Sequence, residues 1–528
     1  MSFSRVYSAQ THLLKGKIVT IEVDITKKTL HAFTLVGLPD KAVDESKDRM
    51  SSALKNSGFA SPKNQNQKIV ISLSPADLKK EGPYFDLAIA LAYLLSAGEI
   101  NFDPKGKIFL GELSLNGELQ PIKGVLPLTE AAKNLGFKEI FVPSSNAAEA
   151  ALVEGIVVYG AQTLKEVVDH VYKIKYDRKG KPLEPERLKI SPQKRTRIAR
   201  KSNLHDIDFS DIRGQEGAKR GLEIAAAGGH NIAMSGPPGT GKTMLARVFS
   251  HILPELSDEE ILEITGIHSI IGLLEETLIT EPPFRAPHHT ASYVSMIGGG
   301  TNPKPGEVTL AHKGVLFLDE FPEFEKRVLE SLRQPLEDNI VSISRARGSA
   351  VFPSNFILVA AMNPCPCGNR GNKEKVCVCK PSDFDRYKRK LSGPIMDRID
   401  LWVTVGNVDY RKLSEEFLTG EKTQAIKARV KRARLLQEKR FSALGGKNSK
   451  RKIKTNSDMN VKDLGAFAPL SLEVKKLLND SAERLALSAR AYHRVIKIAR
   501  TIADLENSPD VRSNHILEAI QYRPKVNS

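Results

Sequence analysis

Cysteine is scarce in this chain. Its 528 residues include four, and all of them fall in "CPCGNRGNKEKVCVC", residues 365–379. In the expected cytoplasmic setting disulfides are disfavoured, and the crowding of Cys365, Cys367, Cys377 and Cys379 into one loop points to metal ligation. Long apolar runs are also missing. The strongest candidate, "LAIALAYLL", falls well short of the ~20 residues that cross a bilayer and reads as a short buried helix. The opening "MSFSRVYSAQ" lacks the charged-then-apolar layout of a secretory signal, so the expected location is the cytoplasm and no membrane partner is expected.

What is present is ordinary globular material, 41% hydrophobic and 27% charged, in a length that suggests about two to four domains. The net charge of +17 is concentrated in two places. Residues 176–203 carry ten basic against three acidic side chains, and residues 386–456 carry twenty against seven. Localised basic surface suggests a polyanion, nucleic acid before membrane because no apolar face accompanies it. The first stretch is proline-containing and reads equally well as a solvated linker; the second holds "AIKARVKRARLLQEKRF", which suits a basic helix.

Residues 1–172 mix strand-like runs such as "KIVTIEVDI" and "KIVISLS" with helix-like ones such as "DLAIALAYLLSAG", the pattern of an α+β domain. A basic linker is expected over 173–203. Residues 204–405 alternate strands and helices as in a parallel α/β sheet, and 406–528 read as a basic segment followed by amphipathic helices.

Within 204–405, "GPPGTGKT" (Gly236, Pro237, Pro238, Gly239, Thr240, Gly241, Lys242, Thr243) fits GxxxxGK[ST] between a buried strand and a helix. Such a loop aims backbone N–H groups and a helix N-terminus at phosphates, with Lys242 toward the β- and γ-phosphates and Thr243 toward Mg²⁺. "GVLFLDE" ends a strand on Asp319, a candidate Mg²⁺ ligand, and Glu320, a candidate for polarising water. A third strand, "FILVAAMN", ends on Asn363.

Together with "AAMNPCPCG", "LSGPIMDRIDL" and "LSARAYHRVIKIARTIADL", these motifs make the chain resemble the AAA+ ATPases of the Mg-chelatase I/D family, in the YifB/ComM group, over nearly its whole length. The resemblance implies an AAA+ P-loop α/β core with a C-terminal helical lid. It also implies ATP and Mg²⁺ as ligands, Asn363 beside the γ-phosphate, Arg398 as an arginine finger acting on a neighbouring subunit, and Arg490 as a second sensor. A finger acting in trans requires an oligomer, expected to be a hexameric ring. Insertions in this family line the ring's pore; here they correspond to the segment around His288 and His289 and to the hairpin bearing Arg345 and Arg347. Adjacent residues on a helix point apart, so the two histidines are expected as pore or interface contacts rather than a metal pair. On residues alone Arg398 could equally pair with Asp397 or Asp400.

The N-terminal domain resembles the Lon-type (ribosomal S5 domain 2-like) fold, whose protease members use a Ser–Lys dyad. Tyr84 and Leu126 stand where that dyad would be, so a non-proteolytic module is expected. The resemblance favours an ATP-driven DNA motor catalysing branch migration or unwinding during recombination and natural transformation. A metal insertase or chaperone subunit like that of magnesium chelatase is the alternative, and a Lon-like protease is disfavoured by the missing dyad. The cysteine spacing, C-x-C-x₉-C-x-C, suits tetrahedral Zn²⁺; an iron–sulfur cluster or unligated thiols remain open.

Overall fold

The computed structural model describes residues 3–173, 188–200, 206–300, 302–345, 348–370, 375–406, 420–444 and 453–524. Arg347, the side chain of Arg345, residues 174–187 and 201–203 of the expected linker, and residues 445–452 of the basic segment lie outside them. The chain divides into two compact units, Met1–Arg200 with Ile261–Thr280, and Lys201–Glu260 with Glu281–Ser528.

The first unit contains a four-stranded sheet of β1 (Phe3–His12), β2 (Lys15–Lys27), β3 (Ala32–Val36) and β4 (Gln67–Ser74), in the order β1-β2-β4-β3. Strands β1–β2 and β2–β4 pair antiparallel and β3–β4 parallel. Along β2, Val19, Ile21, Val23 and Ile25 recur every second residue and all point into the core. They share that core with α1 (Ser46–Asn56) and α2 (Asp86–Ala97), the latter being the "LAIALAYLL" run and apolar on nearly every face. A second, parallel sheet is formed by β5 (Lys107–Phe109), β6 (Glu139–Pro143) and β7 (Val157–Ala161).

Strand β1 has no counterpart among the strand-like runs of the sequence. Its inward positions include Ser4, Ser8 and Gln10, whose side chains donate to the carbonyls of Ala92, Phe109 and Lys79 at 2.7, 2.8 and 2.8 Å. Part of the basic 176–203 stretch runs along this unit, with the Gln193 N–H donating to Val158 (2.8 Å) and that of Thr196 to Ala151 (3.1 Å). Residues 261–280 also belong here. The Ser269 hydroxyl donates to Glu149 Oε1 (2.5 Å) and accepts from the Gly124 N–H (2.9 Å), while the Leu126 N–H donates to the same Glu149 oxygen (2.8 Å). Leu126 is buried beside Leu152 and Val153, and Tyr84 packs against Phe85.

In the second unit, α3 (Glu216–Gly228) precedes β8 (Ile232–Ser235) and α4 (Lys242–His251) follows it. Strands β9 (Phe284–Arg285), β10 (Val315–Leu318), β13 (Ile357–Met362) and β14 (Leu401–Thr404) complete a sheet ordered β9-β10-β13-β8-β14, all pairs parallel. The hairpin of β11 (Ile340–Arg345) and β12 (Gly348–Pro353) stands before β13. "VLFL" and "ILVAAM" are buried at every position, as strands covered on both faces must be. Because all five strands run the same way, the loops after β8, β10 and β13 open at one edge.

The basic helix forms as α6 (Thr423–Leu444), preceded by the short α5 (Pro381–Arg389) of the cysteine region. Several of its cations serve the interior instead of facing outward. Arg434 gives Nε and Nη2 to the Ala226 carbonyl (3.1 and 2.8 Å), and Gln437 Nε2 reaches that of Ala227 (3.0 Å), so α6 caps the negative end of α3. Burial holds the Arg434 guanidinium down at about 10. Arg429 pairs with Glu223 and Glu421, and Arg440 with Asp504 on α7 (Ala489–Leu505). Lys431, Arg432 and Lys439 remain exposed, a narrower basic face than the sequence suggests.

One buried ion pair anchors the first unit. Asp86 is fully buried, accepts from the Ser46 hydroxyl (2.5 Å), Arg49 Nε (2.7 Å) and the Leu113 N–H (3.2 Å), and so ties α1 to α2. Asp86→Ala would leave the mostly buried Arg49 guanidinium without its carboxylate, a loss of about 3–5 kcal/mol. Thermal unfolding followed by circular dichroism should show an earlier first transition; an unchanged profile would remove this pair from the account.

Candidate functional site

The phosphate-loop residues connect β8 to α4. The Gly236 N–H donates to the Met362 carbonyl (3.2 Å), and a Cβ at Gly236 would lie 2.0 Å from the Val405 carbonyl oxygen, so only glycine allows this approach. Gly239 and Gly241 take left-handed φ values of +78° and +84°. Thr240 Oγ1 donates to the Pro237 carbonyl (2.9 Å), tightening the turn. Lys242 is buried, and its ammonium donates to the carbonyls of Gly236 (2.7 Å) and Pro237 (2.8 Å) and to Asn363 Oδ1 (3.3 Å). Burial lowers its pKa, and Asp319 pushes back.

Thr243 Oγ1 donates to Asp319 Oδ2 at 3.0 Å, while the Glu320 N–H holds Asp319 Oδ1 at 2.8 Å. A hydroxyl and a carboxylate side by side form the hard-oxygen set that Mg²⁺ prefers. Glu320 sits at φ +50°, a strained conformation for a glutamate, which turns its carboxylate away from the strand line. Its Oε2 lies 3.1 Å from His289 Nδ1. Residues 288 and 289 are not helical, and their rings lie 4.2 Å apart, which corrects the expectation that the two would diverge. The role of His289 beside Glu320 was not legible in the sequence; its place just after β9, the strand next to β10, was the available signal.

Lys242, Thr243, Asp319, Glu320 and Asn363 thus gather at the carboxyl edge of the sheet. Arg398 and Arg490 do not join them. Both line a separate cleft of about 380 Å³ with Asn231, Glu337, Asp400 and Arg494, whose walls include neither Lys242 nor Asp319. Arg398 pairs with Glu337 and donates to the Pro394 carbonyl (2.7 Å), not to Asp397 or Asp400. Asp400 instead faces Arg494 Nε (3.2 Å) and His230 Nδ1 (3.3 Å).

The four cysteine sulfurs all lie within 4.8 Å of one another. Gly368, in the same loop, abuts Pro238. A further cavity, of about 700 Å³, was missed by the sequence reading. It is lined by Ile212, Gly214, Gln215, Ile426 and Arg429, and Gln215 Nε2 donates to the Gly406 carbonyl (2.5 Å), one residue beyond the Val405 that Gly236 approaches. No residue type in "DIRGQ" marks it in advance.

Three family matches cover most of the chain: "Subunit ChlI of Mg-chelatase" over residues 21–146, "Magnesium chelatase, subunit ChlI" over 208–413, and "Magnesium chelatase, subunit ChlI C-terminal" over 420–523. The chain is 40% identical to competence protein ComM of Haemophilus influenzae over 529 residues, 100% of this chain and 98% of that one. It is 40% identical to the uncharacterized protein YifB of Escherichia coli over 527 residues, 99% and 97% of the two chains. The magnesium-chelatase 67 kDa subunit of Heliobacterium mobile is 26% identical over 199 residues, 32% of this chain and 30% of that one. With its phosphate-loop geometry and this full-length similarity, the chain belongs to the ComM/YifB group of the Mg-chelatase ChlI family of AAA+ proteins.

Proposed function

We propose that this chain is an ATP-hydrolysing AAA+ motor that works as a ring, expected to be a hexamer, and acts on branched or single-stranded DNA, with branch migration or unwinding in recombination and natural transformation as its task. The observation that carries the ATPase part is the Lys242 ammonium, which links the phosphate loop to Asn363 while the neighbouring Thr243 is bonded to Asp319. Lys242 would exchange its loop carbonyls for phosphate oxygens, and Asn363 and Glu320 would orient the attacking water. Thr243 and Asp319 would hold Mg²⁺, which supplies charge neutralisation at the phosphates. The cavity beside Gln215 and Ile426 is of a size and place to take the base.

Arg398 and Arg490 line a cleft apart from the phosphate loop; Arg398 is read as the finger that serves the phosphates of the next subunit, and Arg490 as the second sensor on the helical lid. The N-terminal unit is read as a Lon-like module without protease activity, since Tyr84 and Leu126 stand in place of the serine and lysine of the dyad. The four cysteines are read as a structural zinc site. The DNA assignment draws on the family resemblance of the motifs and on the exposed part of the basic segment, and the competence pathway on the printed name of the ComM relative. The second reading, a chelatase-type insertase or chaperone subunit, is favoured by the chelatase ChlI matches alone.

ATP turnover measured with forked, single-stranded, duplex and no DNA tests the proposal. Turnover should rise with forked or single-stranded DNA, and DNA affinity should fall steeply with salt; a rate indifferent to DNA would favour the second reading. Lys242→Ala should lower turnover by about a hundredfold or more, and wild-type turnover in it would refute the phosphate-loop assignment. His289→Ala releases Glu320 and should raise the DNA-free rate; no change would deny the contact any catalytic weight.

A further inference from the structure

The cysteine loop does more than lie near the ATP site. Cys365 Sγ stands 3.4 Å from Cys367 Sγ and 3.7 Å from Cys377 Sγ, and Cys367 Sγ stands 3.6 Å from Cys377 Sγ. Four thiolates at about 2.3 Å from one tetrahedral ion would be separated by about 3.8 Å, close to these spacings. An iron–sulfur cluster would divide the thiolates among its irons, one on each in a four-iron cluster and two on each in a two-iron cluster, and so spread the four sulfurs further apart than one ion does. The backbone also donates to sulfur: the Cys367 N–H to Cys379 Sγ and the Arg370 N–H to Cys365 Sγ, both at 3.4 Å, as suits thiolates sharing one cation.

Two contacts run from this loop into the nucleotide site. Gly368, at φ +77°, lies so close to the phosphate loop that a Cβ would fall 2.6 Å from Pro238 Cδ. On α5, which follows Cys379 directly, the Tyr387 hydroxyl donates to the Asn363 carbonyl (3.1 Å). Arg370 stacks 3.7 Å over the ring of Phe384, fastening the loop to that helix.

We propose that Cys365, Cys367, Cys377 and Cys379 close around one thiophilic divalent cation, Zn²⁺ first, and that this ion is a structural component of the ATP site because it presses Gly368 onto Pro238 and seats Tyr387 on Asn363. This rests on the nucleotide reading above. Binding releases the thiol protons to solvent and involves no redox step. Without the ion the four sulfurs take their protons back and lose the bonds that draw them together, so the loop is freed and the phosphate loop and Asn363 lose one supporting wall.

The test measures metal content and nucleotide binding separately on the full-length protein. Purified protein should carry one zinc per chain, and Co²⁺ put in its place should give a thiolate charge-transfer band. Stripping zinc with phenanthroline, which spares Mg²⁺, should weaken binding of a fluorescent ATP analogue by about tenfold or more, restored by added Zn²⁺. Gly368→Ala keeps all four sulfurs, so it should retain zinc yet bind the analogue more weakly; Cys377→Ser should lose both. Absence of stoichiometric metal overturns the inference, as does full analogue binding by stripped protein or by zinc-loaded Gly368→Ala. Zinc-loaded wild-type protein that binds no nucleotide overturns the ATP reading and this inference with it.

Discussion

The buried ammonium of Lys242 is the group on which the candidate site depends. A charge taken out of water must be repaid by good partners, and here they come from two separate pieces of chain: the carbonyls of Gly236 and Pro237 and the side chain of Asn363. That arrangement requires β8 and β13 to lie side by side and to end together, which the parallel pairing of Ile232–Ser235 with Val359–Met362 provides. It also requires the loop to lie flat against β14, which glycine at 236 permits. Replacing these three neutral partners by charged phosphate oxygens is a change the ammonium can make without leaving its place, and it alters what Asn363 feels.

The same edge of the sheet collects groups of opposite demand. Asp319 is held by Thr243 and by the Glu320 N–H, while Glu320 is bent out of the strand toward His289. Two adjacent carboxylates are thereby given different surroundings, as the proposed division of one for a metal and one for water requires. The cysteine loop and Tyr387 close the side beyond Asn363. The guanidinium groups of Arg398 and Arg490, by contrast, share a cleft whose walls do not include the phosphate loop, and under the proposed function Arg398 serves the phosphates of a neighbouring subunit.

Much of this was legible in the sequence because the chemistry there tolerates few residue types. GxxxxGK[ST] after an apolar strand, and an acid pair after another, state their roles through spacing alone. The fully buried strands of the parallel sheet were legible as continuous apolar runs. What was not legible follows from polar residues doing interior work. Strand β1 hides its alternation because Ser4, Ser8 and Gln10 face inward and are satisfied by distant carbonyls. The basic helix looked like an outward face, yet Arg434 and Gln437 cap a neighbouring helix. Residues 261–280 fold with the first unit through the Ser269–Glu149 bond, a partnership that spans more than a hundred residues and leaves no local mark. The contact of His289 with Glu320 depends on which strand lies beside β10, which only topology decides.

The central claim is that one chain supplies the cradle and another the cations. Mixing two inactive variants, Lys242→Ala and Arg398→Ala, and measuring ATP turnover tests it most directly. A site built from the Lys242 of the second variant and the Arg398 of the first is complete, so the mixture should hydrolyse ATP well above the sum of the two alone. A mixture no more active than that sum would contradict the division of the site between subunits.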